Sequence, residues 1–340
     1  MKKTTLKTWL RAIKHIMYYI NYSPKPFRIQ IDVTDRCNFQ CPTCSKWKTN
    51  NGQELNTSEW TYVLKKLKGA TLLNRMTFSG GEPFLRDDLL EFIAYAKKHN
   101  YYVNVITNGS LLNEHILKEL DHIGLDNLVI SLNGVKESTH DRSRDTNGNY
   151  HHIIDIVSHS RLYRMKINIE TIIMKTNVDE LVDLTELVKK HGLHGISYQV
   201  LADVKVHYAF TNTQMEEIPT TWFKDNTYWI EDTSKISDVL HQLIKRQKEG
   251  YPILNSTDQI RHMLLYYNHP HNVRKMKCLS GVSTFNIDPY GDVRLCYGYE
   301  PVGNVMKNDP IEIWRSDKSM RMRQKMKRCN YMCSLLNNNY

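Results

Sequence analysis

Three cysteines that lie close together in the chain could hold one metal centre. Cys37, Cys41 and Cys44 are spaced CxxxCxxC, and thiolates at this spacing can surround a zinc ion or an iron–sulfur cluster. Iron–sulfur clusters are commonly held by four cysteines, so three ligands leave one iron open to another molecule. Catalytic zinc also keeps three protein ligands and an open position. The spacing therefore predicts a reactive metal site and leaves the metal undecided.

The four remaining cysteines form a second group near the end of the chain. Cys278 and Cys296 flank Gly291 in the pattern C-x12-G-x4-C, and Cys329 and Cys333 follow a basic run. Two separated pairs predict one site with four protein ligands, for which a zinc ribbon is the alternative. Full cysteine ligation leaves no open iron, so we expect this site to serve electron transfer or structure.

A glycine-rich turn lies between the two cysteine groups, in the segment Ser79-Gly80-Gly81-Glu82-Pro83. Glycine lets the backbone approach a ligand closely. The Glu82 carboxylate can accept a hydrogen bond from an ammonium group, and Pro83 directs the chain away. These residues together predict a ligand-binding turn.

The elements that must position these motifs alternate between strand and helix. From Phe27 onward the predicted strands are 27–33, 75–79, 102–106, 127–131, 166–173 and 195–199. The predicted helices are 57–67, 87–99, 113–123, 150–165 and 178–191. This alternation predicts a parallel sheet with functional residues at the carboxyl ends of its strands. We expect an α/β fold, a partial (β/α)6 TIM-like barrel with a small C-terminal cysteine-rich auxiliary domain.

Three parts are expected along the chain. Residues 1–25 form an amphipathic helix, residues 26–235 the barrel and residues 236–340 the auxiliary domain, which includes a hairpin with its turn at 288–291. The helix carries one apolar stripe, and we favour its docking on the barrel over its lying on a membrane surface. The stripe comprises Leu6, Trp9, Leu10, Ile13, Met17 and Ile20.

The first cysteine triplet resembles the signature of the radical S-adenosylmethionine (radical SAM) superfamily. The resemblance implies that the open iron of a [4Fe–4S] cluster binds S-adenosylmethionine (SAM) and that reduction yields a 5′-deoxyadenosyl radical. Phe39 matches an aromatic neighbour that covers the cluster, and Gly80–Pro83 match the GGEP motif that holds the amino group of SAM. Further matches imply cofactor contacts from Asn108, Ser131, Asn133 and either Arg142 or Arg144.

The second cysteine group resembles the SPASM region, called Twitch when shortened, that follows many radical SAM barrels. The match covers the C-x12-G-x4-C pattern, the Gly303-Asn304-Val305 turn and Ile313-Trp314. It lacks the middle CxxC of a full SPASM region, so the resemblance implies one auxiliary [4Fe–4S] cluster. In related enzymes this cluster can accept an electron from the substrate.

Composition limits the cellular locations and the classes of partner that we expect for this chain. No segment approaches the roughly 20 apolar residues of a membrane span, and seven cysteines grouped for metal indicate a reducing, cytoplasmic location. A net charge of +10 suits an acidic partner, but no nucleic-acid module accompanies it. We expect hydrogen abstraction from a peptide, with flavodoxin or ferredoxin as reductant. The alternatives are a dehydrogenase or epimerase of a sugar or small metabolite, or a zinc-stabilised binding protein.

Overall fold

One mixed sheet organises the structure, a computed structural model that describes residues 3–48, 52–203, 220–273 and 277–333. Its strands are β1 (Arg28–Thr34), β2 (Arg75–Gly80), β3 (Tyr102–Thr107), β4 (Asn127–Ser131), β5 (Lys166–Ile173), β6 (Gly195–Val200), β7 (Thr284–Ile287), β8 (Asp292–Arg294) and β9 (Gly303–Asn304). Their order across the sheet is β6-β5-β4-β3-β2-β1-β7-β8-β9. Strands β1 to β6 pair with their neighbours in parallel, as the alternation of elements predicts.

The helices follow the strands in βα units. Those of the first part are α1 (Lys3–Ile20), α2 (Thr57–Lys66), α3 (Leu89–Lys98), α4 (Glu114–Ile123), α5 (Glu137–Arg144), α6 (Asn149–Ser158) and α7 (Leu181–Lys190). Those of the second part are α8 (Thr233–Lys248), α9 (Thr257–Asn268), α10 (Pro270–Val273), α11 (Ser280–Ser283), α12 (Pro310–Arg315) and α13 (Asp317–Lys327). Within the described residues, no helix is long and apolar enough to cross a membrane.

Local sequence signals place most element ends correctly. Asn56 and Glu59 form the predicted capping box at the start of α2, and Gly124 ends α4 in the left-handed conformation. Helix α5 was not predicted, because its sequence ESTHDRSR contains no apolar residue to reveal a helical period. The helix predicted at 150–165 ends earlier, at Ser158.

The C-terminal hairpin joins the barrel sheet. Strand β7 pairs in parallel with β1, with Arg28 opposite Thr284, and then turns into antiparallel β8. The auxiliary region is therefore continuous with the barrel through backbone hydrogen bonds, and the boundary at residue 235 stays a prediction.

Helix α1 contacts the rest of the chain through its basic residues. Arg11 pairs with Asp258 at 3.7 Å, and Lys14 Nζ lies 5.2 Å from the centre of the Phe27 ring. From the predicted apolar stripe, Trp9 and Ile20 are more than half exposed. Leu10, Ile13 and Met17 of the same stripe are half-buried, so part of the stripe faces the rest of the chain.

Candidate active site

The first cysteine group lies in the loop that leaves the carboxyl end of β1. Cys41 is buried, and Cys37 and Cys44 are half-buried. The Phe39 backbone N–H donates to Cys37 Sγ at 3.5 Å, and Trp47 Nε1 donates to the Cys44 carbonyl at 2.9 Å. Burial raises the pKa of Cys37 to about 11, and the neighbouring thiols of Cys41 and Cys44 add to the rise. The three thiols are thus electrostatic neighbours on one loop.

The glycine turn packs directly on that loop. Gly81 N–H donates to the Thr34 carbonyl, and Glu82 N–H donates to the Arg36 carbonyl, each at 2.8 Å. A Cβ atom on Gly80 would lie 2.2 Å from the Thr34 oxygen, and Gly80 has a φ of +140°. The two glycines therefore let the cysteine loop pack closely against the turn. Their sequence predicts only that a ligand can approach closely.

Glu82 ties the ends of β2 and β3 together. Its fully buried carboxylate accepts from Thr107 Oγ1 at 2.8 Å and from the Asn108 backbone N–H at 2.7 Å. It also accepts from the Phe84 N–H at 3.1 Å, next to buried Pro83. Burial raises the pKa of Glu82 despite these hydrogen bonds. A carboxylate accepts about four hydrogen bonds and three are present here, so any contact of Glu82 with an ammonium group stays a prediction.

Asn108 connects the third strand to the cysteine loop. Its Nδ2 donates to Asn38 Oδ1 at 2.9 Å, and its Oδ1 accepts from the Ser110 N–H at 2.8 Å. Its side chain thus holds the residue that follows Cys37. Any contact of Asn108 with a cofactor stays a prediction.

The residues predicted on and after β4 separate into two kinds. Ser131 ends the strand opposite Glu170 and is partly accessible. Asn133 is 1% exposed; its Nδ2 donates to Ser143 Oγ at 3.0 Å, and its Oδ1 accepts from the Ile172 N–H at 3.1 Å. Asn133 therefore offers hardly any surface to a bound molecule.

The structure distinguishes the two candidate arginines. Arg144 Nη1 lies 3.9 Å from Cys41 Sγ, and its Nε is buried with no hydrogen-bond partner among the described residues. Arg142 lines a separate recess with Thr176 and Tyr228. An unpartnered guanidinium N–H beside the cysteine loop suits a carboxylate ligand.

A cavity of about 400 Å³ joins the two cysteine groups. Thr43 and Lys46 of the first cysteine loop line one part of it, and Leu279 and Ser280, which follow Cys278, line another. The wall includes residues of β1, β2, β3, β5, β6 and β7. Strands β1 and β6 lie at the two ends of the parallel part of the sheet, and residues of both line this cavity. The sheet therefore curves into a partial barrel.

A polar network in this cavity was missed by sequence reasoning. Lys46 Nζ forms an ion pair with Asp32 Oδ2, and Ser79 Oγ donates to Asp32 Oδ1 at 2.6 Å. Burial alone would lower the pKa of Lys46, but Asp32 and Asp35 raise it. The sequence does contain a pattern that indicates this network, because the polar residues Arg28, Gln30 and Asp32 alternate along a strand predicted to be buried.

The fold brings Cys278, Cys296 and Cys329 of the second group close to one another. Burial raises the pKa of Cys278 to about 11, with Cys329 adding to the rise. Burial also raises the pKa of Cys296, and the neighbouring thiols of Cys278 and Cys329 contribute to this rise. Cys333 is buried four residues beyond Cys329. The hairpin and the end of α13 thus bring together cysteines that are far apart in sequence.

The all-sulfur ligand sets suit iron–sulfur clusters or zinc. In the part of the chain that the structure describes, no three Cys, His, Asp or Glu side chains surround one point as the ligands of a single metal ion do. A zinc site places each sulfur about 2.3 Å from one ion, whereas a [4Fe–4S] cluster spreads its cysteines over several irons. Bound iron would also hold Cys37, Cys44, Cys278 and Cys296 deprotonated, although burial raises the pKa of each of these thiols.

Two family models match the chain. The model described as "Radical SAM superfamily" matches residues 31–188, which include the first cysteine group and Gly80–Pro83. The SPASM model, described as "Iron-sulfur cluster-binding domain", matches residues 278–334, which include the later four cysteines. SAM and iron–sulfur clusters are therefore the cofactors of this chain.

Individual relatives cover most of the chain. A PqqA peptide cyclase of Bradyrhizobium diazoefficiens is 27% identical over 323 residues, 90% of this chain and 79% of the relative. An AdoMet-dependent heme synthase of Methanosarcina barkeri is 26% identical, over 87% of this chain and 84% of the relative. The structure of Streptococcus suis SuiB bound to precursor peptide SuiA has a TM-score of 0.68 at 15% identity, covering 98% of this chain and 75% of SuiB. With a curved parallel sheet and two cysteine groups beside one cavity, this chain has a radical SAM domain that includes residues 31–188 and a C-terminal SPASM region at residues 278–334.

Proposed function

We propose that this protein is a radical SAM maturase that abstracts a hydrogen atom from a peptide. The cavity between the two cysteine groups carries the proposal, because a substrate there lies next to the first cluster site and within reach of the second. The peptide class is supported by the name of the PqqA peptide cyclase relative. A similarity of fold to SuiB with its precursor peptide agrees with it.

The bound cofactors supply a 5′-deoxyadenosyl radical when the first cluster, held by Cys37, Cys41 and Cys44, is reduced in the presence of SAM. Residues of the chain would orient SAM: Glu82 would accept from its amino group, and Arg144, whose buried Nε has no hydrogen-bond partner among the described residues, would donate to its carboxylate. Phe39, which is 6% exposed, covers the cysteine loop and excludes water.

The second cysteine group supplies a route for an electron. Cys278, Cys296, Cys329 and Cys333 would hold an auxiliary [4Fe–4S] cluster that takes the electron when the substrate radical is oxidised. An epimerase would instead need a hydrogen donor such as a free thiol, and all seven cysteines belong to the two ligand groups. Oxidation or cross-linking of the peptide is therefore favoured over epimerisation.

The proposal includes the cellular setting. Flavodoxin or ferredoxin would supply the first electron, and a reducing cytoplasm would keep the unloaded thiols free. A zinc-stabilised binding protein would need neither the glycine turn nor the cavity.

The experiment has two stages. The protein is reconstituted anaerobically with iron and sulfide, reduced with dithionite and supplied with SAM; 5′-deoxyadenosine is expected from the natural chain and not from Cys41→Ala. Co-expression with short open reading frames from the same gene neighbourhood then tests for a peptide of altered mass. Formation of 5′-deoxyadenosine with no modified peptide, but with a modified sugar or metabolite, would contradict the peptide proposal alone.

A further inference from the structure

Four basic side chains lie near one another at one edge of the barrel sheet, and one of them, Arg28, lines the cavity. Arg28, Arg75 and Lys166 are the first residues of β1, β2 and β5, so they mark the amino-terminal edge of the sheet. Lys14 of α1 lies beside them, next to Phe27. We call these four residues the basic mouth.

Strand register brings two arginines side by side. Ile29 pairs with Met76, so the preceding residues, Arg28 and Arg75, are also neighbours, on strands about 4.8 Å apart. Arg28 lines the cavity itself. Thr77, which also lines the cavity, lies two residues after Arg75 on the same strand. Alternate residues of a strand face the same side of the sheet. Both arginines therefore face inward.

Aromatic rings support these cations. The Arg75 guanidinium lies 5.3 Å from the centre of the Tyr102 ring, and Lys166 Nζ lies 5.7 Å from the same ring. Such cation–π contacts orient a cation without neutralising its charge. The ring of Tyr102 thus holds two positive charges at one opening.

The basic mouth contains no internal counterion. Among the described residues, no Asp or Glu oxygen lies within 4.0 Å of Lys14, Arg28, Arg75 or Lys166. Arg28 Nε donates to Thr284 Oγ1 at 3.1 Å, which occupies one of its five N–H donors. Burial, together with the like charges of Arg28 and Arg75, lowers the pKa of Lys14 to about 8. Neighbouring like charges destabilise the fold, and an anion offsets that cost.

We propose that the basic mouth binds the carboxylate of an acidic residue in the peptide substrate while a residue several positions further along the peptide extends through the cavity toward Thr43 in the first cysteine loop. The inference rests on the proposed function and names its substrate class, an acidic peptide. An arginine fork matches a carboxylate with two parallel hydrogen bonds. Arg28 and Arg75, side by side, provide two such forks.

Fluorescence anisotropy of the holoenzyme with SAM tests the proposal. The probe is a fluorescein-labelled peptide of alternating glutamate and alanine, and the control peptide has glutamine in place of glutamate. We expect the glutamate peptide to bind, and its Kd to rise about tenfold or more in Arg28→Gln and in Arg75→Gln. Lys190→Gln removes the same charge from the exposed end of α7 and should change Kd by less than about twofold.

Other outcomes overturn the proposal. Equal affinity for the glutamine peptide, equal losses in Lys190→Gln, no binding of the glutamate peptide, or displacement by inorganic phosphate as complete as by unlabelled peptide would each do so. Arg28→Lys and Arg75→Lys retain the charge but not the fork, so they should recover only part of the affinity that the glutamine variants lose, whereas a purely structural role would give no such order of affinities. Absence of 5′-deoxyadenosine from the natural enzyme would instead refute the proposed function, while peptide binding would still decide the role of the basic mouth.

Discussion

A Cβ atom on Gly81 would lie 2.1 Å from the carbonyl oxygen of Arg36, the residue that precedes Cys37. The glycine turn and the first cysteine loop are therefore fitted to each other through backbone atoms, which cannot yield as a flexible side chain can. A change in the turn must displace the cysteine loop.

Gly81→Ala should lower both stability and cluster content. Forcing one methyl group into a packed contact costs about 1–3 kcal/mol, and the displaced loop should hold less iron. Urea unfolding and iron analysis after reconstitution measure the two effects. Gly124→Ala is the control, because its Cβ meets nothing within 4 Å and only the left-handed backbone is strained. Equal loss of iron in both variants would refute the prediction.

Arg144→Gln should weaken SAM binding about tenfold or more, since a charged hydrogen bond to a carboxylate is lost. Arg142→Gln is the matched control, because Arg142 lies in a separate recess. Titration of the reduced protein with SAM, followed by electron paramagnetic resonance, gives both dissociation constants. A greater loss in Arg142→Gln would reverse the assignment.

Replacing one cysteine from each group should separate two clusters. Cys41→Ser and Cys296→Ser should each bind about four fewer irons per chain than the natural protein, because each removes a ligand of a different [4Fe–4S] cluster. The electron paramagnetic resonance signal of the cluster that remains in Cys296→Ser should change when SAM is added. The signal of the cluster that remains in Cys41→Ser should not. Unchanged iron in Cys296→Ser, or zinc in place of iron, would exclude the auxiliary cluster.

The stability of the fold should fall in mild acid because of His140. Burial, aided by Arg144, lowers the pKa of this fully buried imidazole to about 3, and its Nδ1 accepts from the Asn133 N–H at 3.1 Å. The unfolded chain binds the proton first, so stability is complete above about pH 6.5 and declines as the pH falls toward 3.

His140→Asn keeps an acceptor near Nδ1 and removes this titration. Between about pH 7 and pH 5, the natural chain should lose about 2 kcal/mol more unfolding free energy than the variant. Urea unfolding at both pH values measures the difference. Parallel losses in the two proteins would show that other groups cause the acid sensitivity.

The amino-acid sequence by itself determined the chemistry-bearing segments and the strand and helix order. The cysteine triplet, the glycine turn and the capping box at Asn56 are short-range patterns, and each depends on residues that stay close in the chain. Strand periodicity likewise placed β4 and β5 at their observed bounds. Local geometry is set by local sequence, so these predictions hold without knowledge of the packing.

Only the tertiary structure decided how the segments meet. It placed Arg144 rather than Arg142 beside Cys41, and it joined the C-terminal hairpin to β1. It also turned Arg28 into the cavity. A two-residue period shows that a strand has two faces but not which face lines a cavity. That choice depends on the curvature of the whole sheet and on contacts between residues far apart in the chain.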